Sequence, residues 1–241
     1  MILQGKTLFL GDSLTLGASS LVQCAEPSKT IAEVNKSTSW MLEQLRAFEP
    51  YLSSYARLVV LGGTNDIAGS SSADQIFKNL TAIYQIGQAH KLHVVANLVP
   101  PFKGWPSFNA SFDAFNDKRK ALNRLIFLSA DTNEIVDLDE LVREPQDFDK
   151  LSTEADSGDH LHIKKPVLAK IWQSQLARMQ NFPTIKPEHV PTIEPRQRPD
   201  PGAPGEPPPA RVDLAPLVLV GAAVALGYFA WKNRRLAFVK P

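Results

Sequence analysis

Lys6-Thr7-Leu8-Phe9-Leu10-Gly11-Asp12-Ser13-Leu14 is the stretch on which the fold is decided. Residues 6–10 form a short, mainly apolar run of the length expected for a buried strand. Gly11 and Asp12 break that run, so Ser13 stands on a turn at the end of a rigid support. The same apolar-run pattern recurs along the chain, and the expected strands are 6–10, 30–34, 57–61, 93–99 and 134–138. Amphipathic stretches alternate with them, giving expected helices at 38–48, 73–90, 113–129 and 165–179. Strands that are almost continuously Val, Leu and Ile have no solvent face. Alternating with helices, they predict an α/β fold with a parallel sheet covered on both sides. No internal repeat of solenoid or propeller length is present.

Composition narrows the functional classes. The chain has 241 residues, 26 basic and 25 acidic, a net charge of +1, with 44% apolar and 21% charged residues. That suits one sizeable core and is too close to neutral for a protein that coats nucleic acid, so no nucleic-acid partner is expected. A single cysteine, Cys24, leaves no internal disulfide and no cysteine-based zinc site. The first residues are too few and too polar for a secretory leader before the first strand begins.

The 19 prolines are unevenly placed, with ten between Pro183 and Pro209. Such a segment sustains neither a helix nor a central strand and favours extended polyproline conformations, so 183–213 is expected to be a stalk. It is followed by the 18 uncharged residues from Leu214 to Trp231. As a helix they would reach about 27 Å, enough to cross a hydrocarbon core. Tyr228 and Trp231 stand at one end, where amphipathic aromatics favour headgroups. The expected organisation is a globular domain over 1–182, the stalk, a membrane-spanning helix over 214–231, and a basic tail over 232–241. The four bases of that tail argue for a cytoplasmic C-terminus, whereas the expectation of no leader argues for a domain on the same side, so orientation stays open. Gly221 and Ala225, and Ala223 and Gly227, are small residues four apart, a spacing that permits helix-mediated oligomerisation.

Three short constellations could carry chemistry. Ser13, after the first strand, suits a nucleophile, although Ser after Asp at a strand end also serves as a helix cap. In Gly62-Gly63-Thr64-Asn65-Asp66, after the strand at 57–61, the Asn65 amide lies at the sheet edge where α/β folds bind ligands. There it could donate to an oxyanion, or simply cap a turn. In Asp159-His160-Leu161-His162, just before the last helix, Asp159 can accept from Nδ1 of His162 and leave Nε2 for a serine. His160 is the rival histidine. A metal site on His160 and His162 would need more ligands than this loop offers, and no metal is expected.

Together and in this order, Gly11-Asp12-Ser13-Leu14, Gly63-Thr64-Asn65-Asp66 and Asp159-His160-Leu161-His162 resemble the SGNH (GDSL) hydrolase family over about residues 5–180. The resemblance implies a flavodoxin-like three-layer α/β/α sandwich with a five-stranded parallel sheet. It further implies Ser13 as nucleophile, Asp159 and His162 as its partners, and an oxyanion hole built from the Ser13 backbone N–H and the Asn65 amide. The family usually adds the backbone N–H of a glycine after the second strand. Here Val34-Asn35-Lys36-Ser37-Thr38-Ser39-Trp40 has no glycine; Ser37, or Lys36, is the expected substitute. The implied activity is that of a serine esterase without cofactor, acting on short carboxylic esters, acetylated sugars, thioesters or lysophospholipids. The alternative is a membrane-anchored binding or assembly protein whose catalytic site has decayed. Pro100 to Pro106, with Phe108 and Phe112, could line an acyl pocket or merely pack their loop.

Overall fold

The computed structural model describes residues 2–102 and 112–179. The expected stalk at 183–213, the span at 214–231 and the basic tail lie outside the described residues, as do Lys103 to Ser111 of the aromatic loop. Among the described residues, no helix is long and apolar enough to cross a membrane.

Five parallel strands form the central sheet: β1 (Thr7–Gly11), β2 (Lys29–Ala32), β3 (Arg57–Leu61), β4 (His93–Asn97) and β5 (Glu134–Val136), in the order β2-β1-β3-β4-β5. The helices are α1 (Thr38–Phe48), α2 (Thr64–Ala68), α3 (Ala73–Ala89), α4 (Phe112–Ser129), α5 (Leu138–Val142) and α6 (Lys165–Met179). The chain runs from β1 outward to β2 and then returns to the other side of β1 as β3. The crevice between the ends of β1 and β3 is therefore the switch point at which such sheets bind ligands.

Residues alternate between two cores. Leu8, Leu10, Leu58, Val60, Val94 and Ala96 pack with Met41, Leu45, Ile76, Leu80, Ile83 and Leu122 of α1, α3 and α4. Phe9, Val59, Leu61 and Val95 face the other way, onto Leu168, Trp172 and Leu176 of α6. Both faces are buried, which is why the strands carry no polar alternation. The rings of Phe9 and Trp172 lie 5.3 Å apart. Trp172 Nε1 also donates to Asn97 Oδ1 at 2.9 Å, while Asn97 Nδ2 donates to the carbonyl of Val60 at 2.9 Å. One buried amide thus joins α6, β4 and β3, and fixes the helix that follows Asp159 and His162.

Several elements depart from the sequence expectation. The short helices α2 and α5 were not expected, and β4 ends at Asn97 rather than 99 because the Val99 amide turns to Asn123 Oδ1 at 2.8 Å. Strand β2 stops at Ala32 rather than 34, because Asn35 adopts φ +60°, a left-handed conformation that extended pairing cannot include. The fifth strand stops at Val136 rather than 138, because Asp137 turns out to cap α5, accepting from the amide of Glu140 at 2.9 Å. A two-stranded antiparallel ribbon, β6 (Arg143–Glu144) with β7 (Asp147–Leu151), was not expected. It is held from α4 by the buried Arg119, which pairs with Asp149 at 2.9 Å and with Asp139 at 2.5 Å.

Candidate active site

Ser13 follows β1 directly and is half-buried. The turn is fixed by Asp12, whose backbone carbonyl accepts from the amides of Thr15 and Leu16, each at 3.1 Å, and whose Oδ1 accepts from the Leu14 amide at 3.0 Å. Asp12 itself is fully buried. The backbone N–H of Ser13 has no acceptor among the described residues.

The second partner comes from the far end of the domain. Ser157 N donates to the carbonyl of His162 at 2.8 Å and Lys164 N to that of Ala155 at 2.7 Å, so residues 156–163 form a closed loop. Leu161 enters one core and Ile163 the other, which leaves His162 between them at the sheet edge. His162 Nε2 lies 3.0 Å from Ser13 Oγ, and Nδ1 lies 2.6 Å from Asp159 Oδ2. The other carboxylate oxygen, Oδ1, accepts from the amides of His162 at 2.8 Å and Leu161 at 3.1 Å and from Ser157 Oγ at 3.0 Å. Partial burial works to raise the Asp159 pKa, but these donors outweigh it and hold the carboxyl down at about 2. Asp159 therefore stays ionised, and the imidazole is held by its Nδ1–H with Nε2 turned to the serine.

His160 makes a second pair. Its Nδ1 lies 2.6 Å from Asp156 Oδ2, and its backbone is left-handed at φ +61°. His160 is exposed, and among the described residues no contact brings this pair to Ser13. Among the described residues no group of histidine, cysteine and carboxylate side chains could hold a metal ion.

Asn65 opens α2 after β3. Gly63, at φ +116°, makes the turn before it, a conformation that a side chain would strain and for which the Leu122 methyl leaves no room. Asn65 Nδ2 lies 3.0 Å from the carbonyl of Lys36 and 3.2 Å from Asp12 Oδ2. Two acceptors fix which end of the amide faces them, so the nitrogen is the end presented to the crevice. Both hydrogens are engaged, and serving an oxyanion requires one of them to be shared or released. Burial pushes the Asp12 carboxyl up to about 7, against the lowering effects of the Leu14 amide and the His162 charge.

The loop after β2 meets Asn65 through Lys36. Ser37 acts as the N-cap of α1, its hydroxyl accepting from Trp40 N at 3.4 Å and sharing a 2.8 Å hydrogen bond with Ser39. The left-handed Asn35 makes the bend that the absent glycine would allow. Sequence reasoning missed the residue that holds this loop. Asp66 accepts from both the amide and the hydroxyl of Thr38, at 2.8 and 2.9 Å, and Asn79 donates to that hydroxyl at 3.0 Å. Its place beside Asn65 was the only signal. Phe102 packs on Phe115 with ring centroids 4.3 Å apart and is buried, so this aromatic serves the core rather than an acyl pocket.

Comparison with known proteins gives a family and a fold. The model of the GDSL-like lipase/acylhydrolase family matches residues 9–164. No curated protein matches the chain. Among solved structures, a GDSL-like lipase from Bacteroides thetaiotaomicron superposes with a TM-score of 0.60 at 19% identity, covering 72% of this chain and 88% of the other. A lipase/acylhydrolase from Enterococcus faecalis gives 0.55 at 18%, covering 74% and 97%. The psychrotrophic esterase EstA from Pseudoalteromonas sp. gives 0.51 at 17%, covering 73% and 98%. At these identities the likeness establishes the fold.

Proposed function

The chain belongs to the GDSL-like lipase/acylhydrolase family, and from that premise we propose that it is a working serine esterase with Ser13 as nucleophile. The observation that carries the reading is the unbroken line from Asp159 through His162 to Ser13, at 2.6 and 3.0 Å. In this mechanism Ser13 Oγ attacks the ester carbonyl as its proton passes to His162 Nε2. Asp159 holds the imidazole in the correct tautomer and stabilises the imidazolium. The Ser13 backbone N–H and Asn65 Nδ2 stabilise the tetrahedral oxyanion, with the backbone of the Lys36–Ser37 turn as the third donor. Collapse breaks the ester C–O bond, His162 returns its proton to the leaving alcohol, and water hydrolyses the acyl-serine by the same steps in reverse.

The substrate we propose is an acyl ester of lipid or of acetylated cell-envelope carbohydrate. A stalk and membrane span over 183–231 would hold the domain near either. One observation favours the second reading, a binding or assembly protein without activity: both hydrogens of the Asn65 amide are already donated within the chain.

Fluorophosphonate labelling of the full chain, with p-nitrophenyl acetate turnover alongside, separates the two readings. We expect labelling and turnover in the native protein and neither in Ser13→Ala. A folded native chain that takes no label and turns over no ester would overturn the esterase reading in favour of the binding one.

A further inference from the structure

The crevice beside the Ser13–His162 pair has a charge that the reaction itself does not require. A pocket of about 430 Å³ is lined by Ser13, Leu14, Asp159, His162, Lys165 and Pro166, among others. In any hydrolysis through His162, the leaving oxygen must lie within reach of Nε2, because that nitrogen returns the proton to it. A pocket walled by His162 and the start of α6 is therefore open to the departing alcohol.

Three ionisable side chains other than His162 line this pocket, and two are already matched. The Asp159 carboxylate is held by His162, by two backbone amides and by Ser157. Lys164 Nζ donates to the carbonyls of Thr153 at 3.0 Å and Glu154 at 3.1 Å. Lys165 has no hydrogen bond or ion pair among the described residues. Its stem is nevertheless placed, because it lies across Gly17 in the loop after Ser13. A Cβ built on Gly17 would stand 3.0 Å from both Cε and Nζ of Lys165, and Gly17 has φ +84°, where a side chain is strained in any case. The bare backbone of one catalytic loop thus forms the seat for a cation carried by the element that follows the other.

Beyond Pro166 the surface continues into a groove along α6, lined by Leu21, Ala169, Lys170, Ala177 and Arg178 among others. No acidic residue occurs anywhere in α6, and none lines the groove among the described residues. The room and the sign of charge extend away from the serine in the same direction.

We propose that the alcohol half of the substrate carries a negative charge, and that Lys165 binds it in the pocket beside His162. This rests on the esterase reading and adds to it the chemical class of the leaving group: an ester of an anionic alcohol, such as one bearing a carboxylate or phosphate near the acylated oxygen. Lys165 lines a partly open pocket and is exposed, so its grip on an anion is a charge-assisted hydrogen bond weakened by salt.

Three acyl esters of matched size give the test with full-length protein: phenyl acetate, which is neutral, 4-acetoxybenzoate, whose leaving group is anionic, and phenyl hydrogen succinate, whose acyl half is anionic. The quantity read is the ratio of kcat/KM for each anionic ester to that for phenyl acetate. The native chain should favour 4-acetoxybenzoate, and Lys165→Met should lower that preference by about tenfold, mainly through KM. Lys165→Arg should keep it, and 0.5 M salt should diminish it in the native chain alone. The ratio for phenyl hydrogen succinate should not follow Lys165. Lys165 is exposed at the surface, so its replacement leaves the core intact. A preference unchanged in Lys165→Met, or one that falls equally for both anionic esters, would overturn the inference while leaving the esterase reading in place. No turnover of any of the three by the native chain would overturn the esterase reading and the inference with it.

Discussion

Residues 156–162 hold two Asp–His pairs that are chemically alike and differently situated. In each, a carboxylate oxygen lies 2.6 Å from a histidine Nδ1, and each aspartate also accepts from the backbone of its own loop. Only His162 meets a serine. It is flanked by Leu161 and Ile163, each anchored in a different core, whereas His160 is exposed on a left-handed bend. The comparison teaches that a polarised histidine is cheap to build from a short loop. What distinguishes a candidate catalyst is the anchoring that presents Nε2 at the end of β1.

The largest expected effects break the pair that meets Ser13. His162→Ala should lower kcat by on the order of 10⁴–10⁶-fold, and Asp159→Asn by about 10³–10⁴-fold through the wrong tautomer, both measured on p-nitrophenyl acetate. Asn65→Ala should lower kcat by about 10²–10³-fold with little change in KM, the pattern of a donor that acts on the transition state. A loss below about threefold would mean that the engaged amide never reaches the oxyanion. The comparison is sharpened by the other pair: His160→Asn, which keeps a residue tolerant of the left-handed backbone, should leave kcat/KM within about twofold. A loss approaching that of His162→Ala would mean that the wrong histidine has been placed in the mechanism.

The smallest effect is on stability, and here Asp12 is compared with Asp159. An aspartate in an unfolded chain titrates near pH 3.9. Asp12 is raised to about 7 in the fold, so the folded chain holds its proton more tightly. Its contribution is fully present below about pH 4 and is lost as the pH rises through about 7. Asp159, lowered to about 2, works in the opposite sense: its contribution is present above about pH 4 and lost as the pH falls through about 2. Urea midpoints at pH 4.5 and 8 should therefore differ less in Asp12→Asn than in the native chain. An identical pH dependence in the two would show that Asp12 does not titrate as its burial requires.

The sequence was legible where one local stretch decides the outcome. The apolar runs at 57–61 and 93–99 were readable as buried strands, the second ending at Asn97, and the three constellations could be placed because each sits at an element boundary. What could not be read depends on partners far along the chain. Asp66 acquires its role from Thr38, Asp12 from Asn65, and the β6–β7 ribbon from Arg119 on α4. The bend at Asn35 was hidden for a different reason: asparagine enters left-handed backbone often enough to replace glycine, but not often enough to announce it.

The Ser13–His162 hydrogen bond joins residues 149 apart in sequence, whereas Asp159 and His162 are only three apart. The short-range pair can form as soon as its loop closes, while the long-range bond must wait until α6 has docked through Trp172 beneath a completed sheet. The pairing of Ser13 with His162 is therefore expected late in the folding of this chain. A refolding protein that has regained its helices but does not yet take a serine-directed label would be one in which the first strand and the last helix have yet to meet.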